Sequence, residues 1–325
     1  MEQKILDCTL RDGGLVNRFY FTDDFVRGLY RANLLAGIDY MEFGYKASEA
    51  LFDRREFGKW KFCREEDIRA IVGDNKTSMK ISVMADVGRT DYRKDILKKE
   101  DSVIDMIRIA TYADKMDEAL DMAEYCRGCG YETAINIMAV SNNTEAEIEE
   151  ALERVRGSRA DAVYLVDSYG SFYPEEIGRL TRRYIEMAGK RDNGREDGGA
   201  EDAVRRVGIH AHNNQQLAFA NTIEAMRNGA SLLDVTVNGM GRGAGNCSTE
   251  QLLGYMRALE RYNELPIIEF IEEQVLPLKQ AGVLWGYDIP YLLTGQGSKH
   301  PSKAIEFVEN HKTEYSGLFR QLMGA

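Results

Sequence analysis

Short apolar runs rich in β-branched residues alternate with amphipathic segments along most of this 325-residue chain. Eight runs have the length and composition of strands, and they cover residues 4–9, 40–43, 80–84, 106–110, 132–138, 162–166, 207–210 and 233–237. The segments between them predict helices, among them 24–36, 116–127, 144–155, 173–187 and 216–228. Strand alternating with helix is typical of parallel βαβ units. Eight units in about 255 residues match an α/β fold of the (β/α)8 TIM-barrel type, which typically takes about 250 residues.

An open, doubly wound sheet is the alternative fold for the same alternation. It is disfavoured because no G-x-G-x-x-G sequence follows the first strand. From Leu252 onward the alternation stops, and helical stretches interrupted by prolines continue to the end of the chain. The sequence therefore predicts a TIM-barrel domain over residues 1–255 and a helical C-terminal appendage over residues 256–325. Residues 190–202, charged and glycine-rich, predict an exposed, mobile loop before the seventh strand.

The net charge of −11 excludes a general surface for nucleic acid or for anionic membranes. No apolar run approaches the roughly 20 residues that cross a bilayer. The N-terminus has no apolar segment of signal-peptide length, so a cytoplasmic location is the default expectation.

Polar residues lie where several of the predicted strands end. The most informative are His210 and His212, two of only four histidines, spaced so that both point to one face of a strand. In a barrel, functional groups lie at the carboxyl ends of the strands. The same rule brings in Arg11 and Asp12 after the first strand, and Asn246 after the last. This pattern indicates a site for a divalent metal, and zinc is one possible ion.

Three motifs in these positions resemble those of the DRE-TIM metallolyases, the HMGL-like family. Asp7–Gly13 reads D-C-T-L-R-D-G and is similar to the family's D-x-T-L-R-D-G signature. The sequence H-A-H-N at 210–213 resembles the H-x-H-N/D signature, and G-R-G-A-G-N at 241–246 resembles the glycine-rich loop that ends in Asn. The pattern is most similar to 4-hydroxy-2-oxovalerate aldolase. Members of the family make or break a carbon–carbon bond through a metal-bound enolate.

The resemblance implies roles for particular residues. Metal ligands would be Asp12, His210 and His212, with Asn246 as a further ligand, and the ion would be Mn²⁺ or Mg²⁺. Arg11 would stabilise the enolate oxygen and contact the substrate.

Further roles follow from the same resemblance. Glu42 would support the metal site in catalysis. Ser168 would contact the substrate carboxylate. Arg108 is a further substrate-binding candidate, from its place on the fourth predicted strand and not from the resemblance.

The sequence departs from the individual members of the family. The hydroxyvalerate aldolases carry a histidine two positions after R-D-G for acid–base chemistry, and here that position is Leu15. The cysteine that hydroxymethylglutaryl-CoA lyases place in the glycine-rich loop is absent from residues 239–245, and the Glu-Gln that follows R-D-G in the synthases is absent too. Candidate acid–base residues therefore come from the appendage: Tyr287, Tyr291 and His300.

The leading hypothesis is a divalent-metal-dependent lyase that cleaves a 4-hydroxy-2-oxo acid by retro-aldol reaction, or runs the reverse addition. The alternatives are a Claisen-type synthase that joins an acyl-CoA to a 2-oxo acid, and a non-catalytic barrel subunit. The expected small-molecule partner is a 2-oxo acid. Since aldolases of this family can pair with an aldehyde dehydrogenase, the resemblance also implies that partner or a homodimer.

Overall fold

The computed structural model describes residues 2–190 and 204–324. In this part of the chain eight parallel strands close into a barrel in sequence order, with β1 paired to β8. The strands are β1 Lys4–Asp7, β2 Tyr40–Tyr45, β3 Lys80–Asp86, β4 Met106–Thr111, β5 Glu132–Ile137, β6 Ala162–Asp167, β7 Arg206–Ala211 and β8 Leu232–Val235. The TIM-barrel prediction is confirmed.

Helices cover the outside of the barrel and continue beyond it. They are α1 Thr9–Gly13, α2 Asp23–Ala36, α3 Glu65–Val72, α4 Tyr92–Asp95, α5 Met116–Gly128, α6 Glu145–Arg156, α7 Pro174–Ala188, α8 Ala218–Arg227, α9 Thr249–Tyr255, α10 Leu265–Phe270, α11 Leu276–Gln280, α12 Ile289–Gln296, α13 Ser302–Glu309 and α14 Tyr315–Met323. Their starts follow local chemistry, since the Thr22 hydroxyl accepts the Phe25 N–H and Thr144 forms a capping box with Glu147.

Residues 256–324 include a helix that packs on the barrel and helices that pack on one another. Helix α10 packs on α2, where the rings of Phe270 and Phe25 lie 5.0 Å apart between centroids. Helices α12–α14 form a small apolar cluster of their own, made of Leu293, Phe307, Leu318 and Leu322. The predicted C-terminal helices are therefore present.

The first strand is shorter than the sequence indicated. It ends at Asp7, and Thr9–Gly13 forms the helical turn α1, in which the Asp12 N–H donates to the Cys8 carbonyl at 2.9 Å. The Thr9 hydroxyl donates to Asp7 Oδ2 at 2.6 Å, and this contact holds the start of the turn. Of the predicted loop at 190–202, all but Lys190 lies outside the described residues.

None of the helices in residues 2–190 and 204–324 combines the length and the apolar composition that a bilayer span requires.

The barrel interior leaves no room for a side chain at Gly208. This residue lies on β7 opposite Tyr164 of β6, and a Cβ at Gly208 would lie 2.4 Å from the Tyr164 ring. The ring cannot retreat easily because the Arg108 guanidinium lies 4.3 Å from its centroid.

We therefore expect Gly208→Ala to lower the free energy of unfolding by about 1–3 kcal/mol through overpacking. Urea unfolding followed by circular dichroism measures this. The matched control is Gly128→Ala at the exposed end of α5, where a Cβ meets nothing within 4 Å. Equal stability of the two variants would contradict the packing argument.

Candidate metal and active site

A cavity of about 90 Å³ lies at the carboxyl ends of the barrel strands. Its walls combine metal-competent, cationic and apolar side chains: Arg11, Asp12, Leu15, Tyr45, Met84, Ala110, Asn136, Met138, Val166, Ser168, His210, His212 and Arg242. The three predicted motifs thus each contribute to one small cavity, which is where TIM barrels carry their active sites.

Helix α1 brings Arg11 and Asp12 to the cavity. Arg11 donates from Nη1 to Asp12 Oδ1 at 2.7 Å, and both residues are almost fully buried. Burial alone raises the pKa of Asp12, but the Arg11 guanidinium and the two nearby imidazoles hold it well below its usual value. Asp12 is therefore an anionic carboxylate aimed into the cavity.

The two histidines reach the same cavity with their Nε2 atoms free. His210 lies on β7 and His212 just after it, with ring centroids 5.0 Å apart. His210 Nδ1 is 3.0 Å from Asp234 Oδ2, and His212 Nδ1 is 3.1 Å from the Asp167 carbonyl oxygen. When Nδ1 donates in each ring, Nε2 presents its lone pair. Burial lowers the pKa of His212 to about 3, so this ring is neutral, as a metal ligand must be.

The donor set fits a divalent cation. Ligand atoms of Asp12, His210 and His212 all lie within 4.8 Å of one another. Among the described residues, both Nε2 atoms and Asn246 Oδ1 are buried and have no hydrogen-bond partner. Buried polar atoms are rarely left unsatisfied, so two imidazole nitrogens without partners beside the Asp12 carboxylate indicate a site for an ion. One carboxylate, imidazole nitrogens and an amide oxygen suit a hard or borderline divalent ion with open positions for substrate.

A second group of metal-competent residues, Cys8, His210 and Asp234, is equally compact. Asp234 Oδ2 and His210 Nδ1 already have partners there, because Arg108 donates to this oxygen at 2.5 Å and the oxygen faces the ring nitrogen at 3.0 Å. Burial also raises the pKa of the Cys8 thiol far above its usual value, which disfavours the thiolate that a metal requires. We therefore assign the ion to the first group.

A chain of buried ion pairs connects Arg11 to His210. Glu42 Oε2 accepts from Arg11 Nε at 2.8 Å and from Arg108 Nη1 at 3.0 Å. Arg108 then pairs with Asp234, which faces His210. Burial would raise the pKa of Asp234, but Arg108 and the His210 hydrogen bond hold it below its usual value. Asp234 stays ionised, and this fixes which ring nitrogen of His210 carries the proton.

The structure separates the predicted substrate-binding residues. Ser168 lines the cavity, and its Oγ accepts the Ala139 N–H at 2.8 Å. Arg108 does not line the cavity; it is fully buried beneath it between Glu42 and Asp234. Glu42 is likewise buried, and its carboxylate accepts from Arg11 Nε at 2.8 Å. Asn246 does not line the cavity; it donates from Nδ2 to Asp12 Oδ2 at 2.6 Å, and its Oδ1 has no partner among the described residues.

The three candidate residues of the appendage differ in how close they lie to the cavity. His300 is at the rim, with Nε2 3.1 Å from Nη1 of the cavity-lining Arg242. Tyr291 packs against Gly243 of the glycine-rich loop and does not line the cavity, and burial raises its pKa to about 12. Tyr287 is half exposed and makes no contact with the cavity among the described residues.

The sequence analysis did not predict three residues of the site, which are Asp234, Tyr45 and Asn136. One signal could have identified Asp234: it is a carboxylate inside the apolar run L-L-D-V. A buried strand rarely contains a carboxylate unless that group has a partner. Tyr45 ends β2 and Asn136 lies on β5, and both line the cavity. Nothing in their spacing distinguished them from ordinary strand residues.

Comparison with known proteins agrees with this geometry. The family model described as HMGL-like matches residues 2–274. Oxaloacetate decarboxylase of Mycobacterium tuberculosis is 32% identical over 272 residues, which is 82% of this chain and 73% of that protein. The 4-hydroxy-2-oxovalerate aldolase of Bacillus thuringiensis is 28% identical over 285 residues, covering 85% and 78% of the two chains. The crystal structure of the N-terminal domain of a proposed aldolase from Bacteroides vulgatus superposes with a TM-score of 0.78 at 27% identity, over 94% of this chain and 96% of that one.

The support that Asp234 gives His210 predicts a graded effect on metal affinity. Replacing both His210 and His212 by Ala should abolish Mn²⁺ binding measured by calorimetry. Asp234→Asn should weaken binding by about 10–100-fold, the usual effect of losing the partner that orients a ligating histidine. Asp121→Asn, an exposed carboxylate on α5, is the control and should bind as the unaltered protein does. Full-strength binding by Asp234→Asn would show that this carboxylate does not orient the ligand.

Proposed function

The chain belongs to the HMGL-like family and is a metal-dependent lyase, and on this premise we propose that it cleaves a carbon–carbon bond of a 2-oxo acid to give a pyruvate-type enolate. The first candidate substrate is a 4-hydroxy-2-oxo acid, which undergoes retro-aldol cleavage to pyruvate and an aldehyde. We further propose Mn²⁺ or Mg²⁺ as the ion, held by Asp12, His210, His212 and Asn246.

One observation carries the proposal. The free Nε2 atoms of His210 and His212 converge with the Asp12 carboxylate, and the Arg11 guanidinium lines the same cavity. When bound, a divalent ion supplies polarisation of the 2-oxo group and stabilisation of negative charge on its oxygen. Arg11 adds a fixed positive charge where that negative charge develops, and it needs no reorganisation because Glu42 and Asp12 already hold it.

The remaining cavity residues orient the substrate. The Ser168 hydroxyl accepts from Ala139 and can still donate its own proton to a substrate carboxylate. Arg242, from the glycine-rich loop, also lines the cavity and offers a second cation for an anionic group of the substrate. A volume of about 90 Å³ suits a compact oxo-acid portion, with the rest of the substrate directed toward the rim.

Retro-aldol cleavage also requires a base for the 4-hydroxyl proton. His300 is our candidate, because it touches Arg242 at the rim and both burial and that cation lower its pKa, so the ring is neutral at pH 7. The Ser302 N–H donates to its Nδ1 at 3.2 Å and Arg242 Nη1 lies 3.1 Å from its Nε2, so one of these contacts must open before a ring nitrogen takes the proton. The appendage would then supply the group that Leu15 cannot.

A second candidate reaction is decarboxylation of a 2-oxo diacid such as oxaloacetate. The relative from Mycobacterium tuberculosis carries that name. A specific observation favours it: Leu15 lines the cavity where the aldolases have their histidine. Decarboxylation gives the same enolate with CO₂ as the leaving group, and it requires no base to take a hydroxyl proton. An apolar wall at this position is compatible with it.

We expect pyruvate to be released from oxaloacetate, from 4-hydroxy-2-oxo acids or from both when the Mn²⁺-loaded protein is assayed with lactate dehydrogenase coupling. Asp12→Asn should abolish release, because it removes the anionic ligand and the partner of Arg11. Acetyl-CoA with 2-oxo acids, followed by free thiol, is run in parallel. Thiol release without pyruvate would replace the proposal with the Claisen-type synthase.

Position 15 allows a gain-of-function test between the two reactions. Leu15→His places an imidazole in the cavity wall, and a positioned general base typically contributes about 10²–10⁴-fold. We expect retro-aldol turnover to rise by about tenfold or more relative to oxaloacetate decarboxylation. Leu15→Asn is the matched control, polar but without a base. The same gain in the Asn variant would show that polarity, and not proton transfer, is the cause.

The association of the chain with other subunits stays a prediction. A homodimer or a complex with an aldehyde dehydrogenase is proposed on family resemblance, and light scattering would distinguish the monomer from the dimer.

A further inference from the structure

Tyr45 enters the cavity because strand β2 is kinked just before it. Glu42 faces the barrel interior, where it pairs with Arg11 and Arg108. Regular alternation would place Gly44 inside and Tyr45 outside. The register between β2 and β3 instead shifts between Glu42 and Tyr45, and Tyr45 lines the cavity. Irregularities of this kind are common next to active sites, where they redirect a side chain.

The kink depends on glycine at position 44. Its φ of +152° is one that side-chain-bearing residues rarely adopt, and a Cβ there would lie 1.9 Å from the Trp60 carbonyl oxygen. The chain therefore keeps an irregular backbone whose visible effect is to turn one phenol toward the metal-competent residues.

A buried cation lies on the face of the same phenol ring. Lys61 Nζ is 4.4 Å from the Tyr45 ring centroid and 4.5 Å from that of Phe52. Phe19 contacts the Tyr45 ring edge-on, with centroids 5.7 Å apart. Within residues 2–190 and 204–324, Lys61 forms no ion pair within 4 Å; its charge acts on the rings around it and, at longer range, on the Asp86 carboxylate. A cation over a phenol ring favours the phenolate and so eases proton loss.

The other polar groups of the cavity are unsuited to donate a proton. Asp12, His210 and His212 are occupied as ligands, and the guanidinium groups of the cavity do not deprotonate. An aliphatic hydroxyl such as that of Ser168 is a far weaker acid than a phenol. Burial raises the pKa of Tyr45 above its usual value, so the phenol keeps its proton at neutral pH and has one to give.

We propose that Tyr45 is the acid that protonates C3 of the pyruvate enolate, with Lys61 as a positioning residue on its ring. This inference rests on the proposed function, and it holds for aldol cleavage and for decarboxylation, since both leave the same enolate. In the step, the Oη–H bond breaks and the C3–H bond forms. The C2=C3 π pair of the enolate becomes the new C3–H bond, a lone pair of the enolate oxygen restores the C2=O double bond, and the phenolate takes a proton from solvent.

The test follows this step without the rest of the substrate. The Mn²⁺-loaded protein is incubated with pyruvate in D₂O, and exchange of the methyl protons is followed by NMR. We expect Tyr45→Phe to slow exchange by about 100-fold or more, the lower range for general acid–base groups, with the Kd for Mn²⁺ unchanged. Lys61→Met should slow exchange by about tenfold, a size typical of a desolvated cation–π contact. Tyr92→Phe, a phenol beside Tyr125 and away from the cavity, should exchange at the unaltered rate.

The outcomes separate this inference from the proposed function. Unaltered exchange in Tyr45→Phe would overturn the role of Tyr45 and leave the lyase assignment in place. Loss of Mn²⁺ binding in Tyr45→Phe would also overturn it, because the residue would then act on the metal site. If the unaltered protein neither exchanges pyruvate nor releases it from any substrate, the proposed function fails and this inference with it.

Discussion

The site depends on a continuous run of buried ion pairs across the barrel interior, just below its mouth. Glu42 on β2, Arg108 on β4 and Asp234 on β8 each project inward, and they connect Arg11 at one end to His210 at the other. A buried charge without a partner is costly, so each member requires its neighbours. The strands that hold the metal-competent residues are thereby aligned by the same contacts that orient those residues.

The charges in this run also set the character of the cavity. With Arg242 of the cavity wall included, three guanidinium groups balance the carboxylates of Asp12, Glu42 and Asp234 when the imidazoles are neutral. A divalent cation changes the sum to two positive charges, which would attract the proposed anionic 2-oxo acid. The proposed metal and the proposed substrate are therefore linked through charge. Asp234 links the ion pairs of the barrel interior to the site, because it contacts both Arg108 and His210.

Residues that lie beyond strand ends could be predicted because a barrel brings all its carboxyl ends together. Asp12 follows β1 and His212 follows β7, and their proximity needs only the correct fold. Arg108 shows where this reasoning stops. It lies within β4 (Met106–Thr111), not after it, so it sits below the mouth and pairs with carboxylates there instead of lining the cavity.

The sequence by itself determined the eight-stranded barrel, the helical appendage and the set of residues that the three motifs gather at one end. These follow from periodicity and from residue identity, which are local properties of the chain. Only the tertiary structure decided that Asp234 supports His210 and that Tyr45 turns into the cavity. The first depends on strand register across the barrel, and the second on a kink that breaks the two-residue alternation; neither is encoded in the spacing of the residues concerned.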